Sequence, residues 1–127
     1  MPVPITYASG PSGEALRDFA DALDAAERAR DAQSKEALYN LLYNYLEEDL
    51  HRRTPGQLIA YLQARAPWRR EGPHEVFKSA NQPCVSFMAL ERGGTLGVLV
   101  LGFCHRYPQS EDQWWTHIIR PRLKDYV

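Results

Sequence analysis

The sequence is poor in the features that announce a function. Cysteine occurs only at Cys84 and Cys104, too few for the disulfide framework of a small secreted scaffold. The longest apolar runs, within Leu96 to Cys104, are about half the length a membrane-spanning helix requires. The amino terminus, Met1-Pro2-Val3-Pro4-Ile5-Thr6, has neither the basic start nor the continuous apolar stretch of a secretory signal, so cytoplasmic residence is the expectation. No phosphate loop, Cys-x-x-Cys knuckle or histidine pair at ligand spacing occurs. Neither a metal nor a cofactor is therefore expected, no residue is given a catalytic role, and a binding protein is favoured over an enzyme.

What is present is the composition of a soluble globular protein: 127 residues, 44% apolar, 24% charged and 11% aromatic. That length fits one domain spanning 1–127. The net charge of −1 hides an asymmetry. Residues 1–50 hold ten acids and four bases, a net of −6; residues 51–127 hold six acids and eleven bases, a net of +5. Opposite halves either pack against each other or present a charged face to a partner.

Residues 1–11, with three prolines around Val3 to Tyr7, read as an extended arm or edge strand. Residues 12–66 read as a helical layer. Ser12 and Ser34 each precede an acid and an apolar run, as N-caps do. In the first helix Leu16, Phe19, Ala20 and Leu23 share a face opposite Glu14, Asp18 and Asp21. In the second, Leu38 to Leu50 with Tyr39 and Tyr43 leave only Asn40, Asn44, Glu47 and Glu48 as a polar strip, so this helix is expected to be largely buried. Thr54-Pro55-Gly56-Gln57 is a capping box opening a third helix with Leu58, Tyr61 and Leu62 inside.

Residues 74–127 read as sheet and closing helix. Gly93-Gly94 supplies a two-residue hairpin loop tolerant of positive φ. Its register sets Met88 opposite Leu99, Phe87 opposite Val100 and Cys84 opposite Phe103, so Cys104 points away from Cys84 and no intrachain disulfide is expected. The last strand is apolar on both faces and belongs at the sheet's centre. Ser110 caps a final helix that Pro121 kinks or ends. The expected fold is α+β: about three N-terminal helices packed on a small antiparallel sheet, residues 74–106, with a C-terminal helix.

Four constellations carry candidate chemistry. Cys84 and His105 are diagonal neighbours in that register, although a small buried hydrophobe and a strand-end histidine explain them as well. The scattered His51, His74, Cys84, Cys104, His105 and His117 lack ligand spacing. Arg52, Arg53, Arg65, Arg69, Arg70, Lys78 and Arg106 accompany Trp68 and Tyr107, offering phosphate contacts and a stacking surface. Adjacent Trp114 and Trp115 stand about 100° apart on a helix, so one is expected at the surface as an anchor for a partner, with the acids Asp18 and Asp21 steering. The candidate binding residues are thus Trp68, Arg69, Arg70, Arg106, Trp114, Trp115, Asp18 and Asp21.

The stretch Glu91-Arg92-Gly93-Gly94 through Gly102-Phe103-Cys104-His105-Arg106, then Pro108 and a helix ending Leu123-Lys124-Asp125-Tyr126, resembles the last hairpin and helix of RelE/HigB-like ribosome-associated toxins. The resemblance implies a small α+β ribonuclease, with His105 and Arg106 where that family carries basic residues. Two functions follow as expectations. The first is a small accessory or regulatory protein that binds another macromolecule, a protein before all; the alternative is an RNA-binding or RNA-cleaving domain. Basic residues gathered on a concave sheet face favour RNA, and dispersal around the rim favours a protein partner.

Overall fold

The structure, a computed structural model, describes residues 2–79, 83–104 and 110–127. Helices combine with a mixed sheet, an α+β fold. In chain order, strands β1 (Ile5–Tyr7), β2 (Ser9–Gly10) and β3 (Gly13–Glu14) lead into helices α1 (Ala15–Arg28) and α2 (Ala32–Asn40). α2 continues as a π-wound segment, Leu41–Leu50, and is followed by α3 (Pro55–Gln63). Strands β4 (Arg69–Glu71), β5 (His74–Lys78), β6 (Cys84–Arg92) and β7 (Thr95–Cys104) come next. The closing helix winds as α4 (Glu111–Trp114), a π segment Trp115–Ile119 and α5 (Arg120–Lys124). The helix therefore continues past Pro121, which follows a π turn closed by Arg120 N–H to Trp115 O, where the regular i→i−4 ladder is already interrupted.

Strands β4 to β7 form an antiparallel meander, and β1 joins the far edge of β7 in parallel, with Ile5 opposite Val98 and Tyr7 opposite Val100. The sheet is therefore mixed rather than antiparallel, and it takes in Ile5–Tyr7 and Arg69–Glu71 outside the expected 74–106. The cause is β7, whose two apolar faces are buried and which accepts a neighbour on each edge. Beyond Tyr7 the arm turns away, Ala8 N–H bonding Val100 O at 2.8 Å. The edge of β7 past that point is met by Arg122, whose guanidinium donates to Leu101 O at 3.0 Å.

The Gly93-Gly94 turn forms, with both glycines at positive φ (58° and 79°). From it the register runs as expected through Met88–Leu99 and Phe87–Val100, then shifts, so that Ser86 faces Gly102 and Cys84 faces Cys104. The expected Cys84–Phe103 pairing is thus overturned. An extra residue at Leu101 bulges β7, and past a bulge every later residue changes partner and face.

Local signals at helix starts were met unevenly. Thr54 and Gln57 form the reciprocal capping box, and Ser110 Oγ accepts from Gln113 N–H. α1 is preceded instead by Glu14, and Ser12 bonds Asp125 through both its N–H and its hydroxyl. α2 is capped by Asp31, which takes the Ser34 N–H at 3.0 Å. The buried face of α1 is Ala15, Phe19, Ala22 and Ala26; Leu16 is 50% exposed. Small alanines allow that face, rather than the bulkier leucine stripe, to lie close to β7.

Leu38, Leu42, Leu46 and Leu50 are all buried. In an α-helix residues four apart drift about 40° per step, and the line would leave the core. π turns, closed by i→i+5 bonds such as His51 N–H to Leu46 O at 3.0 Å, hold more residues than the about 3.6 of an α turn and so turn the line of every fourth residue back toward the core. The neighbouring line, Tyr39 and Tyr43, is carried outward: they are 45% and 54% exposed, against the expectation that both lie on the buried side of a largely buried helix.

Candidate functional surfaces

Trp114 and Trp115 are both buried, which overturns the expectation of a peripheral tryptophan anchor. The winding widens at Trp115, and a third aromatic completes the pocket. Trp68 lies 5.3 Å from Trp114 and 5.8 Å edge-on to Trp115, ring centre to ring centre. Trp68 itself is half-buried, with its indole N–H enclosed and unpartnered. Arg69 and Lys78 lie over its ring at 5.3 and 5.8 Å, so the three tryptophans form a structural cluster with cations at the rim.

The basic residues that the structure describes are largely engaged by acids or aromatic rings. Arg69 pairs with Asp112 at 2.5 Å, Arg70 with Glu75 at 3.1 Å, Lys78 with Glu111 at 3.0 Å, and Arg120 with Glu71 at 2.8 Å. Arg53 bonds Asp49 at 3.4 Å and lies 4.2 Å over the Tyr61 ring, where Arg65 lies at 4.3 Å. Arg52 and Arg53 line a polar groove of ≈ 630 Å³ together with Glu48, Asp49, Gln57 and Tyr61. Carboxylates and guanidinium groups alternate around that groove, so it has no strong charge of one sign.

Asp18, read as a solvent-facing steering acid, is instead held between helices. Arg122 grips both its carboxylate oxygens, at 2.5 and 3.1 Å, and the side chains of the pair are 18% and 8% exposed. The reason is the rotation of α1 already described, which brings Asp18 to the edge of β7. Asp21 is exposed, as expected. Arg106, His105 and Tyr107 lie outside the described residues, so the Cys84–His105 pairing does too. Among the described residues no cluster of three metal-ligating side chains occurs.

Sequence reasoning missed a run of aromatic contacts leading from the sheet to the surface. Tyr7 stacks on Phe103 at 6.5 Å, Phe103 meets Phe19 edge-on at 5.4 Å, Phe19 meets Tyr39 at 6.0 Å, and Tyr39 stacks on Tyr43 at 6.3 Å with only 10° between the rings. The Tyr7 hydroxyl donates to Glu47 at 2.6 Å, and burial together with that carboxylate raises its pKa above the ordinary tyrosine value. Tyr45 is shifted upward as well, by burial and by its hydrogen bond with Tyr61. The spacing of Tyr39, Tyr43 and Glu47, each four apart, is the one signal in the sequence that such a line exists.

Both cysteines are free. Cys84 is buried, its thiol donating to Ser79 O at 3.4 Å, and burial pushes its pKa up to about 11; Cys104 is half-buried and shifted upward for the same reason. No helix among the described residues is long and apolar enough to cross a membrane. No protein-family model, curated protein or solved structure matches this chain.

Proposed function

We propose that this is a small accessory or regulatory protein that binds another protein, and that it meets a partner with a basic surface on the helical face carrying Tyr39 and Tyr43. The observation that carries the reading is the exposed, nearly parallel Tyr39–Tyr43 stack braced from beneath by Phe19. Two rings already held in place lose little side-chain freedom on binding, and tyrosine is enriched among the residues that dominate interface energies.

Charge supports the choice of partner. Glu14, Asp21, Asp24, Glu36 and Glu48 are exposed carboxylates of the helical region, whereas Arg69, Arg70, Lys78, Arg120 and Arg122 are each engaged by an acid. Asp21 keeps its steering role in this proposal. RNA binding or cleavage, the alternative drawn from the RelE/HigB-like resemblance, needs arginines free for phosphates, and Arg69 and Arg70 are engaged elsewhere.

A photo-crosslinking side chain placed at Tyr43, and at exposed Ile118 as a control, tests the reading in native cells. A discrete protein adduct rich in Lys and Arg at position 43, weakened by Tyr39→Ala and absent at 118, is the expected result. RNA in place of protein, or equal labelling at both positions, overturns it.

A further inference from the structure

We propose that Cys84 and Cys104 form a reversible intrachain disulfide that rivets β6 to β7. The two residues are direct cross-strand partners. Directly opposed residues of an antiparallel pair have Cα atoms about 4.5–5.5 Å apart and side chains on one face. That separation lies within the ~4.4–6.8 Å that a disulfide spans. The bulge at Leu101 creates this juxtaposition, since an unbroken register sets Phe103 opposite Cys84. Bulges re-aim side chains in this way beside functional sites.

Exposure divides the labour between the two thiols. Cys104 is partly open to solvent, and Cys84 is fully enclosed. A small-molecule disulfide therefore meets Cys104 first. The Cys104 thiolate attacks one of its sulfurs, the S–S bond breaks, and one thiolate leaves. Cys84, its proton passed to that released thiolate, then attacks Sγ of Cys104, forms the Cys84–Cys104 bond and expels the second thiolate. Both cysteines are oxidised by one electron each, and the small disulfide is reduced to two thiols.

The bridge would close where other parts of the fold converge. Cys104 ends the strand against which α1 packs, and Cys84 opens β6, its antiparallel partner. Oxidation therefore ties the end of β7 to the start of β6 beneath α1.

The test is to incubate the folded, reduced protein with oxidised glutathione, quench with maleimide in denaturant so that the enclosed Cys84 is also reached, and read intact mass with and without prior reduction. The expected product is monomeric, lacks two hydrogens, takes up no maleimide, recovers both maleimide equivalents after dithiothreitol, and unfolds at a higher temperature than the reduced form. Cys84→Ala is expected to stop at a stable glutathione adduct on Cys104, and Cys104→Ser to leave Cys84 unmodified in the folded state. A persistent glutathione adduct on wild-type Cys104, a disulfide-linked dimer, or two thiols that stay reactive after oxidant treatment overturns the proposal.

Discussion

Arg122 and Asp18, 104 positions apart in the chain, form a two-pronged ion pair that ties the closing helix to the first helix across the edge of the sheet. The same guanidinium satisfies Leu101 O, the carbonyl at the bulge. One side chain thereby serves the helix contact and the edge of β7, where neither β1 nor any other described strand pairs.

Removing one partner strands the other charge in a site closed to water, and such losses cost about 3–5 kcal/mol. Asp18→Ala is expected to fall in that range in urea unfolding, whereas Asp21→Asn, fully solvated, should stay within about 0.5 kcal/mol of wild type. Equal effects at the two positions would show that the pair contributes nothing.

Gly13 is coupled to the same pair. Its φ of +132° suits glycine, and a Cβ there would approach the Arg122 Nε to 2.7 Å. Gly13→Ala should therefore destabilise by at least about 1 kcal/mol through backbone strain, and by more through the collision. In an Arg122→Met background the collision is relieved, so a double-mutant cycle should return a coupling of at least about 0.5 kcal/mol. Strict additivity would contradict the contact.

Truncation of Trp114 to Ala should lower stability by about 3–5 kcal/mol, the cost of emptying a packed aromatic site. Its near-UV circular dichroism should weaken too, because Trp68 loses a ring neighbour. The opposite pattern, a protein as stable as wild type, would return this tryptophan to the surface role that its burial denies it.

Alkaline pH should weaken the fold by ionising the unfolded chain first. Unfolded Cys84 ionises near its ordinary 9.0, but folded Cys84 keeps its proton to about 11. In that window the native state binds more protons, so stability is full below pH 9 and declines as pH rises through 11, by on the order of 2 kcal/mol for this thiol. The raised Tyr7 and Tyr45 act in the same direction. Urea unfolding below pH 9 and near pH 11 should show a smaller decline in Cys84→Ala than in wild type, and identical slopes would remove Cys84 as a cause.

Legibility followed how local each cause is. The Gly93-Gly94 turn, the Thr54 and Ser110 caps and the helix count rest on neighbouring residues and could be read directly. The register failed past Phe87 because a bulge is decided by what packs on both faces, although Gly102 inside an apolar strand was a hint of it. The phase of α1 turned on the closeness its alanines permit. The tryptophan inference treated Trp114 and Trp115 as alone on an α-helix, when a π turn and a distant residue, Trp68, decide their burial. Tyr39 and Tyr43 were counted as core because the pattern assumed a constant α-helical pitch.

The parallel seat of β1 on β7 also sets the timing of assembly. Residues 5–7 leave the ribosome about 90 residues ahead of their sheet partner at residues 98–100. Contacts this distant in sequence form late, after the helices between them have folded from near neighbours. The folded arm has a second attachment that does not involve β7. Val3 N–H bonds Arg53 O at 2.9 Å, and Val3 O receives a hydrogen bond from His51 Nδ1 at 2.7 Å. These mid-chain anchors tether the arm to residues made well before β7, so the strand that closes the sheet edge is bound at its own start by contacts independent of that edge.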